Sequence, residues 1–272
     1  METKETKAIL VPHDFTVVGD AATRHAIQIA RQIMADVHLL HVVKSDSEKA
    51  AVQKKFADVI AKLNLEPNDV KVLSVVKAGS IFSDIATVAE AIKASLIIMG
   101  THGAKGISQK MFGSFAIKVI NSTFVPFVIV QDVVPHDKVK KIVFPIETSS
   151  ESLQVLNIAA NLAIEFGAEV LLVAQKETDT ALAMKIKVHL EVVNKQLAKK
   201  GVKSEFHFVE KSKTFDEKIM KVAKANKIDM IAIAYHDDSF FGSGSYHQNL
   251  ITNDAKIPVL IIKAKESGNY FY

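Results

Sequence analysis

The sequence has no cysteine and no tryptophan, and of its 34 basic residues only two, Arg24 and Arg31, are arginine. Without cysteine, disulfides, thiolate nucleophiles and cysteine-ligated zinc are all excluded. Base readout and bidentate phosphate gripping lean on the arginine fork, so nucleic acid is not an expected partner. The net charge of +4 is also spread evenly, +2 on residues 1–135 and +2 on residues 136–272. Long apolar runs are missing: none approaches the ~18 residues of a membrane span. The opening METKETKAILVPHDF lacks the apolar stretch of a signal peptide. No membrane association is expected, and the expected location is cytoplasmic. Neither a GxSxG elbow nor a GxxxxGK[ST] phosphate loop occurs.

What is present is material for two cores. The chain has 272 residues, 49% of them hydrophobic and 24% charged, and a domain usually takes ~100–200. It also repeats itself. KAILVPHDFT, from Lys7, matches KKIVFPIETS, from Lys140, so that Pro12 falls on Pro145 and Asp14 on Glu147. The same offset of 133 carries ADVHLLHVV, from Ala35, onto AEVLLVAQK, from Ala168. Near the end VPFVIVQ, from Val125, matches IPVLIIK, from Ile257, at an offset of 132. Two tandem domains are read, 1–134 and 139–272, joined through the polar, proline-containing DVVPHDKVK.

Within each copy, short β-branched runs alternate with helical patterns. Strands are predicted at Ala8–Val11, Val37–Val43, Val70–Val76, Leu96–Met99 and Phe127–Val130. In the second copy they fall near Ile142–Phe144, Val170–Ala174, Lys203–Val209, Met230–Ala234 and Val259–Ile262. Helices are predicted over Ser47–Leu63, Ile81–Lys93 and Ser114–Asn121, and from the spacing of Ala22, Ala26, Ile29, Ala30 and Ile33. The long helix Asp179–Lys200 should bury Leu182, Ile186, Leu190, Val193 and Leu197. This alternation means an α/β class with parallel strands and helices on both faces. Such sheets take ligands beyond the carboxyl ends of the strands, where the strand order reverses.

MGTHGAKGISQKMFGS, from Met99 to Ser114, leaves one of those carboxyl ends with four glycines. Gly100 and Gly103 permit close backbone approach, and Gly113-Ser114 stands where a helix begins. Free amides at a helix start attract anions. Taken by themselves, the residues fit a phosphate cradle and an ordinary surface loop equally well.

The spacing is more specific than the glycines. Gly100-x2-Gly103-x9-Gly113-Ser114 resembles the ATP-binding signature of the universal stress protein family, and ILVPHDFT, LLHVV and IIMGTHG resemble that family's first, second and fourth strands. Two such domains cover Lys7 to Lys263. The resemblance implies two Rossmann-like domains of the adenine nucleotide α-hydrolase kind, each a five-stranded parallel sheet of order 3-2-1-4-5. It implies ATP, with or without Mg, as the ligand of the first domain. Adenine would lie against Pro12 and the backbone of Val42, with Asp14 near the adenosine and Gly100 by the ribose. Gly103, Gly113, Ser114 and the amide of Phe115 would line the phosphates. Lys105 and Lys110 read as solvated loop lysines, and His13 and His102 would flank the crevice. His41, inside an apolar run, reads as a core histidine.

The second copy departs from this pattern. In IAYHDDSFFGSGSYHQN, Ala234 stands at the place of Gly100 and Asp237 at that of Gly103. Asp237-Asp238 would set negative charge against a phosphate. Glu147 replaces Asp14, and Gln175 replaces Val42. This copy is read as lacking ATP and pairing with the first, through Phe127–Val130 and Pro258–Ile262, as fifth strands do in family dimers; a homodimer of whole chains is a further expectation of the resemblance. His236, Asp237, Asp238 and His247 fit no zinc spacing, so no metal site is assigned. Asp14 is the sole carboxylate placed near the nucleotide, and one carboxylate is thin support for turnover. No catalytic residue is therefore assigned, and slow ATP hydrolysis is the most the residues suggest. Two rivals stay open. One is an ATP pyrophosphatase of the related hydrolase group, although PHDFT lacks the glycine pair such enzymes carry. The other is an interaction protein that binds no nucleotide.

Overall fold

Buried apolar runs alternate with amphipathic helices to give two α/β units, Met1–Lys138 and Val139–Tyr272. The computed structural model describes residues 6–100, 114–131, 138–148, 153, 155–235 and 246–264, without the side chains of residues 82, 114–116 and 246. In the first unit the elements are β1 (Lys7–Pro12), α1 (Val17–Ile33), β2 (Ala35–Val43), α2 (Lys49–Lys62), β3 (Val72–Ala78), α3 (Ile81–Ala91), β4 (Ala94–Gly100), α4 (Ser114–Asn121) and β5 (Phe127–Val130). Its strands lie in the order β3-β2-β1-β4-β5 and pair in parallel. β1 is the middle strand, and Ile9, Leu10 and Val11 are each 0% exposed. That explains its unbroken apolar run, since both faces of a parallel sheet are covered.

The second unit repeats the plan with β6 (Lys141–Ile146), α5 (Leu156–Phe166), β7 (Glu169–Gln175), α6 (Thr180–Lys199), β8 (Ser204–Val209), α7 (Phe215–Ala225), β9 (Met230–Tyr235), α8 (Tyr246–Ile251) and β10 (Val259–Lys263). Its order is β8-β7-β6-β9-β10, again parallel. Each unit thus follows the order 3-2-1-4-5, with its reversal beside the first strand.

Three local differences from the sequence reading have physical causes. The helix expected from Ser47 opens as a 3₁₀ turn, Asp46–Glu48, held by a capping box between Ser45 and Glu48. β3 starts at Val72 rather than Val70, because the Val70 N–H donates to the Asp69 carboxylate (2.8 Å) instead of to a neighbouring strand. In α6, Leu182 lies in the first turn and is 39% exposed, while His189 is buried in the face it was expected to share. Among the described residues no helix is long and apolar enough to cross a membrane. None of their His, Asp and Glu side chains form a group of three or more able to hold a metal ion.

Candidate functional site

The reversal in the first unit lies between β1 and β4, whose register pairs Ile9 with Leu96 and Leu10 with Ile97. β1 ends at Pro12 and β4 at Gly100, so both chains leave the sheet at the same edge. Pro12 also pairs with Leu40, which sets Val42 two residues further along β2 at that edge. Pro12, Asp14, Val42 and Gly100 are all half-buried.

The link between β1 and α1 is a tight turn built from its own side chains. Asp14 Oδ1 accepts from the Thr16 N–H (3.1 Å) and from the Thr16 hydroxyl (2.5 Å). Thr16 is the N-cap of α1, and its Oγ1 accepts from the Gly19 N–H (3.2 Å). Asp14 therefore braces the cap with one oxygen, while Oδ2 takes no partner among the described residues. Gly100 closes the other side: a Cβ there would sit 2.1 Å from Val18 Cγ1 and 3.2 Å from the Val18 carbonyl oxygen. The end of β4 thus lies directly on the first turn of α1, and glycine is what permits it. Gly19 is confined too, since a Cβ on it would lie 3.0 Å from Asp14 Oδ1.

Behind this turn lies an aromatic floor. Phe15 has a left-handed backbone (φ 62°), and its ring stands 4.9 Å from both His41 and Phe56. Lys55 Nζ lies 5.6 Å from the Phe15 ring centre, within range of a cation–π contact. His41 Nδ1–H donates to the His13 carbonyl oxygen (2.7 Å), so this histidine ties β2 to the turn. His13 is buried; its Nδ1 accepts from the Phe15 N–H (3.0 Å), and its Nε2 faces Asp20 Oδ1 at 3.3 Å. Burial pulls the His13 pKa below its ordinary 6.5, and the nearby Asp20 only partly offsets this.

Pro12, Asp14 and Gly100 thus meet at the start of α1, with Val42 on the neighbouring strand β2. The helix α4 begins at Ser114 and includes Phe115, but the side chains of both lie outside the described residues. Gly103 and Gly113 also lie outside them, as do His102, Lys105 and Lys110. Sequence reasoning missed Phe15, Thr16, Gly19 and Phe56. Only Thr16 carried a readable signal, a hydroxyl residue just before an apolar helical pattern.

The matching edge of the second unit is built differently. β9 runs through Ala234, which pairs with Ile262 as Gly100 pairs with Val130. His189 occupies the repeat position of Phe56, and its Nδ1–H donates to the Glu147 carbonyl oxygen (3.0 Å). His247 Nε2 lies 3.8 Å from Glu147 Oε1. Gln175, at the place of Val42, accepts from the Ser212 N–H (2.7 Å). His236, Asp237 and Asp238 lie outside the described residues.

The profile of the universal stress protein family matches residues 5–131 and again residues 138–263. The chain belongs to that family. It is a tandem universal stress protein, with one family domain in each unit. A universal stress protein of Methanocaldococcus jannaschii is 29% identical over 139 residues, covering 46% of this chain and 82% of its own. A crystal structure of a universal stress protein from Archaeoglobus fulgidus covers 96% of this chain and 97% of its own, at 17% identity and a TM-score of 0.71. At that identity the likeness is one of fold. A shorter universal stress protein from Archaeoglobus fulgidus, solved in complex with dAMP, is 23% identical and covers 46% of this chain and 98% of its own, with a TM-score of 0.37.

Proposed function

We propose that the first unit of this tandem universal stress protein binds one adenine nucleotide, ATP, as a regulatory ligand rather than as a rapidly consumed substrate. The observation that carries the reading is the meeting of two things at one strand-order reversal. The Gly100-x2-Gly103-x9-Gly113-Ser114 spacing starts at the end of β4, and that end rests on the helix start braced by Asp14. The residues fit the ligand. Pro12 and Val42 offer half-buried apolar surface to a purine, and Asp14 Oδ2 is an acceptor suited to ribose hydroxyls. Gly103, Gly113, Ser114 and the Phe115 amide would take the phosphates, and Mg would accompany them as the counter-charge. One carboxylate at the site favours retention of ATP over turnover.

The second unit is proposed to take no ATP, because alanine replaces Gly100 and aspartate replaces Gly103. It would act as the partner domain of the first, and whole chains would pair as a homodimer. Isothermal titration with ATP and Mg tests the reading. One ATP per chain is expected, with binding lost in Gly113→Val while the circular dichroism spectrum stays unchanged. No heat from the parent protein, or two ATP per chain, would overturn it.

A further inference from the structure

His13, its side chain buried behind the turn of the proposed nucleotide site, ties that turn to β2 and to itself. Its main-chain N–H donates to Leu40 C=O (2.8 Å), its carbonyl accepts from His41, and its Nδ1 accepts from the Phe15 N–H. The last bond exists only while Nδ1 keeps its lone pair, which puts the ring proton on Nε2, toward Asp20. Phe15 depends on this bond. Its φ of 62° is a left-handed backbone that bulky residues seldom adopt.

We propose that His13 is a proton-operated latch for this site: protonation of its ring releases the Phe15 amide, loosens the turn carrying Asp14, and weakens nucleotide binding in acid. The proposal rests on the ATP reading given above. Protonation places a second N–H on the ring, directed at the Phe15 N–H across 3.0 Å. Two donors cannot share that space, so the turn must open. The groups facing the ring are Asp20 from α1, Asp14 from the turn itself and His41 from β2, and Phe56 of α2 packs on it. Lys55 of α2 adds a positive charge beside Phe15. Burial opposes the charged ring most strongly, Asp20 and then Asp14 favour it, and His41 opposes it. The neutral, latched state therefore holds at neutral pH and yields as pH falls below the ordinary 6.5 of a histidine. Ile146 stands at the same repeat position in the second unit, so the latch belongs to the first unit alone.

The test is ATP titration of the full chain from about pH 7.5 to about pH 5, in the parent, His13→Asn and Asp20→Asn. An asparagine oxygen can accept from the Phe15 amide but cannot be protonated in this range. The nucleotide's own titration is common to all three proteins and cancels in their ratios. Over this range the parent should lose more affinity than His13→Asn, by up to about tenfold, the equivalent of one buried hydrogen bond. Asp20→Asn, which keeps the latch but removes its neighbouring charge, should shift the midpoint to lower pH. Parallel pH curves for the parent and His13→Asn would overturn the proposal. The Phe15 amide resonance, followed by NMR without nucleotide, separates the two claims. If ATP binds no variant yet this resonance titrates in the parent and not in His13→Asn, the nucleotide reading has failed and the latch stands. If the resonance is static in the parent, the latch is refuted whether or not ATP binds.

Discussion

Replacing Gly100 by alanine tests the contact that shapes the site. The added methyl would lie 2.1 Å from Val18 Cγ1, 3.2 Å from Val18 Cβ and 3.2 Å from the Val18 carbonyl oxygen. Carbon atoms rest at about 3.5–4 Å, so more than ~1 Å must open. Val18 cannot swing aside cheaply, because a β-branched side chain in a helix has one strongly preferred rotamer. The carbonyl oxygen is backbone and moves only with the first turn of α1. Overpacking of this kind costs about 1–3 kcal/mol. For a unit of this size each kcal/mol lowers the thermal midpoint by roughly 3–5 °C. Trimming the neighbour supplies the control. Val18→Ala removes Cγ1, so the double variant should be more stable than the sum of the two single effects by about 1 kcal/mol or more. Urea unfolding of the parent, both single variants and the pair measures this coupling. A Gly100→Ala protein within ~0.5 kcal/mol of the parent, or strict additivity, would refute the reasoning.

Two further outcomes follow from the first unit. Met34 caps α1 with a left-handed backbone (φ 56°) and is 73% exposed, while Gly167 holds the equivalent cap of α5 at φ 60°. Met34→Gly should therefore raise stability by up to ~1 kcal/mol, read as a higher urea midpoint. Asp69 receives both the Arg31 Nε–H (2.9 Å) and an Nη2–H (2.5 Å). The Arg31 guanidinium, helped by the Val70 N–H, holds its carboxyl at about 2 against an ordinary 3.8. The folded-state pKa is the depressed one, so this stabilisation is complete above about pH 4 and is lost as pH falls through about 2. Asp69→Asn should flatten stability across that window. At neutral pH it should cost under ~1 kcal/mol, because the Arg31 side chain is 42% exposed and screened.

The strands were legible because their burial is a property of neighbouring residues. Phe127–Val130 shows the same limits in sequence and structure, since four apolar residues between a Pro and a polar run leave little choice. The helix starting at Ser114 was legible for a similar reason. The grouping of Pro12, Asp14, Val42 and Gly100 followed from the strand order that the family resemblance implied; the register shows that β1 does lie between β2 and β4. What stayed hidden depends on approach between distant segments. Nothing in GTHG announces that Gly100 must admit Val18, eighty-two residues earlier. Phe15 reads as an ordinary apolar residue until its backbone is seen to be left-handed and its amide tied to His13. His41 did read as a core histidine, but its hydrogen bond to the His13 carbonyl depends on tertiary placement.

The two units also differ where glycine spacing has no say. Phe56 and His189 hold the same repeat position, on α2 and α6, and both are buried. In the first unit the Phe56 ring packs on Phe15 and His13, leaving an apolar floor that asks for no hydrogen bond. In the second, the imidazole of His189 is spent on the Glu147 carbonyl, and the Glu147 carboxylate stands beside His247. Phe56 is 0% exposed, so it acts on the proposed site through Phe15 and His13 rather than by touching a ligand. The turn of the second unit is tied to α6 by the His189 hydrogen bond instead, and a buried hydrogen bond is costly to leave unmade. Restoring glycine at Ala234 and Asp237 would therefore leave the second unit without the aromatic packing behind its turn, and a gain of ATP binding there should require His189→Phe as well. Titration of the second-unit variants, with the first site blocked by Gly113→Val, decides the point. Binding restored by the two glycines alone would show that the floor does not matter.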